Sequence, residues 1–239
     1  MRKYTFGGIL ILLFTGAVML YAYRGTWGKT DIEFRIHINE QLVQESTYGE
    51  PPTFAIWLED PKTGLKRTVF VTRRAAEGDW EGKATVPVAL PLWFEVFKKE
   101  FETDDLPGYD HRAPMAVTGA TPQPGYFKTR ARVKSGSRWT CWIEVNLSGD
   151  YNEYYQEYDP ELKKEDEYAT GQPAIVYKTE IVAEQGFSIG PELAGMTVED
   201  SVGGILIKPL QGITSAGKIF DEISLNMVSP NPKIIETKY

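Results

Sequence analysis

The segment GDYNEYYQEYDPE, residues 149–161, holds the densest set of side chains able to do chemistry. Asp150, Asn152, Glu153, Glu157, Asp159 and Glu161 offer hard oxygen ligands at close spacing, of the kind calcium accepts. Their order departs from the Asp-x-Asp-x-Asp-Gly pattern of a calcium loop, so the segment reads as a solvated acidic loop and no metal is assigned. Interleaved with the acids are Tyr151, Tyr154, Tyr155 and Tyr158. On the strand just before, Trp142 alternates to the side of Thr140, Glu144 and Asn146, opposite Cys141, Ile143 and Val145. An aromatic ring on a polar strand face is either covered by the loop or helix that follows, or serves as a platform for a flat ligand or a sugar. Trp142, Tyr151, Tyr154 and Tyr155 are therefore the candidate ligand-binding residues.

The remaining reactive side chains do not compose a catalytic site. His37 falls on the polar side of an alternating strand beside Glu33 and Arg35, as an exposed histidine would. His111 follows Asp110, and an Asp-His pair can orient an imidazole as a base, but no activated nucleophile accompanies it. Two histidines this far apart make no zinc site by local spacing. Cys141 shares its strand face with Ile143 and Val145, which is the setting of a buried, inert thiol. The reading is of a protein that is not an enzyme, with no catalytic residue.

The elements that must position these groups are strands. DIEFRIHIN places Ile32, Phe34, Ile36 and Ile38 on one face, the alternation of a half-buried strand. Residues 53–73 read as a hairpin, with Asp60-Pro61-Lys62-Thr63-Gly64 as its turn. Further strands are expected over 127–134, 138–146, 174–183, 203–209 and 222–228. Two segments look helical: residues 91–102, with proline at the start and Leu92, Trp93, Val96 and Phe97 at helical spacing, expected to lie across the sandwich, and the charged residues 160–169. Many short strands with Gly/Pro turns predict an all-β domain, an immunoglobulin-like or other antiparallel β-sandwich, and 239 residues suit one large domain of that class.

The amino end differs. Arg2 and Lys3 precede Tyr4 to Tyr23, a run of 20 uncharged residues, and about 20 span a hydrocarbon core as a helix. Residues 1–29 are read as a retained transmembrane anchor and short linker, and residues 30–239 as the domain outside the cytoplasm. Leu20-Tyr21-Ala22-Tyr23-Arg24 is a poor cleavage site, and Tyr4, Tyr21, Tyr23 and Trp27 suit the two interfaces. The basic amino end stays inside, which predicts a single-pass protein of the bacterial inner membrane with its domain in the periplasm. Without Arg2 and Lys3, 24 basic residues face 33 acidic ones, a formal charge of about −9, which argues against a nucleic-acid partner. A lone cysteine excludes an intramolecular disulfide framework.

AIWLEDPKTG, a Trp-bearing short helix after a basic loop, AVTGATPQPG, WTCWIEVNLSGDYNEYY and GQPAIVY occur in that order over residues 52–177. The series resembles an uncharacterised family of predicted periplasmic proteins, a domain of unknown function whose genes often sit beside, or are fused to, PepSY-type membrane proteins and flavin transferases. The resemblance implies an extracytoplasmic redox setting with a membrane or periplasmic redox partner, and no known catalytic residue. In that setting Thr118, Gly119, Ala120 and Thr121 resemble the acceptor motif Asp-x-x-Ser/Thr-Gly-Ala-Thr, in which FMN phosphate esterifies the last threonine. The acidic position of the motif is occupied by Met115, which supplies no charge, and Pro122 follows directly. A structural turn is the reading preferred over an FMN-bearing Thr121. The expected function is that of a membrane-anchored binding or accessory protein, with a covalent FMN carrier or a carbohydrate or small-ligand module as alternatives.

Overall fold

The computed structural model describes residues 14–20, 23–77, 89–104, 118–119, 122–166, 168–197, 206–208 and 210–232. In chain order the elements are β1 (Lys29–Ile38), α1 (Glu40–Glu45), β2 (Thr53–Glu59), β3 (Lys66–Thr72), α2 (Arg73–Glu77), α3 (Pro91–Glu100), β4 (Thr118–Gly119), β5 (Gly125–Lys134), β6 (Arg138–Asn146), β7 (Tyr158–Asp159), β8 (Lys164–Glu165), β9 (Ile175–Val182), β10 (Ser188–Ile189), β11 (Glu192–Thr197), β12 (Leu206–Ile207) and β13 (Phe220–Val228). One sheet runs β10-β13-β1-β5 and the other β12-β11-β9-β6-β2-β3-β4, while β7 and β8 form a separate hairpin. All pairings are antiparallel except β3 with β4. This mostly antiparallel architecture with a few short helices is consistent with a β-sandwich.

Period-two alternation builds the core. Ile32, Phe34, Ile36 and Ile38 are fully buried and join Ala131, Val133, Leu225 and Met227 of the four-stranded sheet to Phe54, Ile56, Leu58, Cys141, Ile143 and Val145 of the seven-stranded one. Phe54 sits against Phe70, Phe127 and Phe220, with ring centroids 5.1 to 5.3 Å apart. Each such side chain contributes roughly 1.5–3 kcal/mol by leaving water. The expected β2–β3 hairpin is present: the Asp60 side chain accepts from Lys62 N at 2.8 Å, and Gly64 takes the positive φ of 70° that closes the turn.

Three helical features depart from the sequence reading. Residues 160–166 and 168–169 are not a helix: residues 160–163 turn between β7 and β8, because Asp159 Oδ1 accepts from Glu161 N and Leu162 N and the chain reverses at Lys163 with φ 51°. Local Asx-turn bonding wins there over the helix propensity of Glu and Lys. Helices α1 and α2 are additions, α1 begun by Asn39, whose side chain accepts from Leu42 N at 3.2 Å. Helix α3 does form, but on the outer face of the seven-stranded sheet. There Trp93, Phe94, Val96 and Phe97 bury against Ala55, Trp57 and Val71 of the strands and Ala75 and Ala76 of α2, as a second apolar cluster.

Residues 14–20 are helical, while residues 1–13 and 21–22 of the expected anchor lie outside the described residues. Among the described residues no helix is long and apolar enough to cross a membrane.

Candidate functional site

The loop between β6 and β9 carries the tyrosines, and a buried polar network holds it. Asn146, the last residue of β6, donates from Nδ2 to the carbonyls of Thr170 and Gln172 at 3.2 and 2.9 Å. Gln172 donates to Ser215 Oγ at 2.6 Å and accepts from Thr214 N at 2.7 Å, and Ser215 Oγ donates to Asp150 Oδ1 at 2.6 Å. Burial raises the Asp150 carboxyl above its ordinary range, against the bonds from Ser215 and Gln172 that hold it down. Gly171 is required where it stands: its φ is 69°, and a Cβ there would lie 2.7 Å from the Asp150 backbone nitrogen.

Asn152 converts this network into a rigid seat for two rings. Its Oδ1 accepts from Tyr154 N and Tyr155 N at 2.9 and 2.7 Å, and its Nδ2 donates to Gly212 O and Thr214 Oγ1 at 2.9 and 3.0 Å. The Tyr155 hydroxyl donates to Gln211 O at 2.9 Å, and the two rings meet edge to face at 4.9 Å. Tyr154 is 57% exposed, so its ring is available to a ligand. Between these rings and the β7–β8 hairpin lies an open cavity of about 460 Å³, lined by Tyr154, Tyr155 and Tyr168 together with Asp159, Glu165 and Asp166. Asp166 holds the far wall by accepting from Tyr168 N and Gly171 N at 3.1 and 2.9 Å.

The structure divides the sequence-predicted ligand residues. Tyr154 and Tyr155 line the cavity. Tyr151 is half-buried beside it, and burial, with the Asp166 carboxylate and the Tyr48 phenol after it, pushes its phenol up. Trp142 belongs elsewhere: register pairs it with Trp57 on β2 and Lys178 on β9, the Trp57 ring lying near-parallel at 6.0 Å and the Lys178 ammonium 5.0 Å from the Trp142 centroid. Its indole N–H donates to Glu59 Oε2 at 2.9 Å. The ring is flanked on both sides, at the rim of the α3 cluster, and the cover comes from the helix before its strand instead of from the loop after it. Among the described residues no group of three or more His, Cys, Asp or Glu is arranged to hold a metal ion.

The remaining candidates are placed as follows. Thr118 and Gly119 form β4 and pair with Val71 and Thr72, while Ala120, Thr121, Met115, Asp110 and His111 lie outside the described residues. Cys141 is buried, and burial pushes its thiol far up. His37 is less isolated than expected, with Nδ1 2.6 Å from Asp221 Oδ1 and its ring edge-on to Tyr126 at 4.5 Å.

Sequence reading missed Glu144. It faces the same side as Trp142 and is fully buried, because α3 covers that side. Leu90, the N-cap residue of α3, makes no side-chain cap, and Glu144 caps the helix from the sheet by accepting from Leu92 N at 3.1 Å and Trp93 N at 2.6 Å. Burial raises the Glu144 carboxyl to about 8, against the two N–H bonds that lower it. The available signal was a helix opening on Pro91 with no Ser, Thr, Asp or Asn before it, which leaves its first N–H groups in need of a remote acceptor.

Compared with protein-family models, curated proteins and solved structures, the chain matches none.

Proposed function

We propose that this chain is a membrane-anchored, extracytoplasmic binding module that takes a small polar ligand, a carbohydrate in particular, in the tyrosine-lined cavity. The observation that carries the reading is the seat built by Asn152, which holds the Tyr154 and Tyr155 rings against an open cavity with carboxylates on its other wall. Aromatic rings cover the apolar face of a sugar and carboxylates accept from its hydroxyls, and neither role asks for a nucleophile. The membrane part rests on the uncharged run from Tyr4 to Tyr23. An accessory role toward a redox partner rests on the family resemblance, and an immunoglobulin-like form of the sandwich on the two sheets that share one core.

The test is saturation-transfer difference NMR of the full chain in detergent with a panel of neutral and amino oligosaccharides. A ligand that receives saturation from the protein, and loses it in Tyr154→Ala but not in Trp142→Ala, is the expected result. No ligand in the panel, or one indifferent to Tyr154, would remove the cavity from the reading. Intact mass after co-expression with a flavin transferase checks the FMN alternative independently, through a gain of one FMN abolished by Thr121→Ala.

A further inference from the structure

Sheet edges are where a β-sandwich can pair with another chain, and the four edges here are unequal. Among the described residues three of them end in two-residue strands: β10, β12 and β4. The fourth is β5, ten residues long and, among the described residues, paired along its whole length with β1 on one side only. The bond from Ser135 N to Gly28 O continues the register that pairs Lys29 with Lys134, so odd-numbered residues of β5 bond to β1. Even-numbered residues, Tyr126 through Lys134, therefore turn their N–H and C=O groups to the open edge. The Arg132 carbonyl accepts from the Arg67 guanidinium at 3.4 Å and the Lys134 carbonyl from Ser137 N at 3.1 Å. Among the described residues Tyr126, Lys128 and Arg130 are left with both groups unpaired, enough for a partner strand of about six residues.

The same residues carry the charge. GYFKTRARVK has four basic residues and no acidic one, in a chain whose formal net charge is −7. Arg130 and Arg132 pair with Glu33 and Asp31 of β1, while Lys128 and Lys134 have no charged partner among the described residues. Basic residues on an edge strand keep copies of a protein from joining edge to edge. Here two-fold pairing of β5 with a second β5 would set Lys128, Arg130 and Arg132 against one another. The pattern that rejects a second copy selects a strand with acidic residues opposite these positions.

We propose that the β5 edge docks an extended acidic segment of a partner protein by strand addition. Main-chain bonds to Tyr126, Lys128 and Arg130 give the pairing, and Lys128 and Arg130 select the acidic side chains. This interface is separate from the tyrosine-lined cavity and stands whether or not that cavity binds a ligand.

The experiment is a fluorescence-anisotropy titration of the protein against a labelled octapeptide of alternating Glu and Thr, with the alternating Lys and Thr peptide as control. Saturable binding of the acidic peptide alone is expected. Lys128→Pro removes an N–H that faces the edge and leaves the β1 ladder intact, while Lys128→Ala removes only the charge. With circular dichroism unchanged, the proline variant should bind at least tenfold more weakly than the alanine variant. Hydrogen exchange on the unaltered protein supplies a reading free of any folding defect: the amides of Tyr126, Lys128 and Arg130 should slow when the peptide is added. Absence of saturable binding, equal loss in the two variants, or unchanged exchange at those amides would each overturn strand addition. Binding to anionic vesicles that ignores Lys128→Pro would replace it with a charge-only contact.

Discussion

The outer faces of the two sheets start from the same sequence pattern and reach opposite environments. In β1, Glu33, Arg35 and His37 alternate with the core residues and stay in contact with water, each answered by a neighbour: Arg130 for Glu33, Tyr126 under the Arg35 guanidinium at 4.2 Å, and Asp221 for His37. In β6, Thr140, Trp142, Glu144 and Asn146 alternate in the same way, yet three of the four are buried. The difference comes from the cover on that face, α3 and α2 over Trp142 and Glu144 and residues 170–172 against Asn146. Alternation tells which side chains share a face. It does not tell whether that face is wet, because a covering element comes from a distant part of the chain.

The largest effect that could break this contrast is expected at Trp93, which is fully buried under α3 and donates its indole N–H to Thr68 Oγ1 at 3.3 Å. Trp93→Ala should destabilise the fold by roughly 3–5 kcal/mol in urea denaturation, as loss of a large core side chain does. Tyr126→Ala removes a ring of similar kind from the open face, where Tyr126 is 55% exposed, and should cost no more than about 1 kcal/mol. Equal losses at the two positions would mean that α3 covers the sheet without building a second core.

Glu144 sharpens the contrast through pH. Its folded carboxyl, at about 8, lies above its ordinary value of 4.5, so the folded chain holds a proton that the unfolded chain has released. The stability it contributes is fully present below about 4.5 and is lost as pH rises through 8. Relative to Glu144→Gln, the unaltered protein should therefore lose stability between pH 5 and 8, by up to about 1.4 kcal/mol per pH unit. A constant difference between the two urea midpoints over that range would show that Glu144 is ionised throughout and that the helix N-terminus outweighs its burial.

The long sheet strands were legible for a physical reason: each buries one face, so its residues repeat with period two, and β6 runs from Arg138 to Asn146 as expected, whereas β4, β10 and β11 were not anticipated. Helix α3 was legible as an element through Pro91 and the spacing of Trp93, Val96 and Phe97, but its location was not, since an apolar helix stripe fits any apolar surface. That gap left Trp142 open between a covered ring and a ligand platform, and the structure flanks it with Trp57 and Lys178. Tyr154 and Tyr155 stood out by composition alone. Their seat did not, because Asn152, Gln172, Thr214 and Ser215 meet across 42 to 62 residues of chain.

The smallest effects belong to the charge ladder between β1 and β5, and they should be graded along it. Arg132 grips Asp31 with two bonds of 2.7 and 3.0 Å, and the Asp31 side chain is only 5% exposed. That bond is the main reason the Arg132 guanidinium is held above its ordinary value. One register step on, Arg130 meets Glu33 through a guanidinium that is 43% exposed, where water and salt screen the pair. Asp31→Asn should cost about 1–3 kcal/mol and keep most of that loss in 1 M salt, because it leaves a partly buried guanidinium short of its acceptor. Glu33→Gln should cost less than about 1 kcal/mol and lose even that in the same salt. If the two substitutions respond alike to salt, the ladder is screened uniformly from end to end, and the open face is wetter at Asp31 than its burial requires.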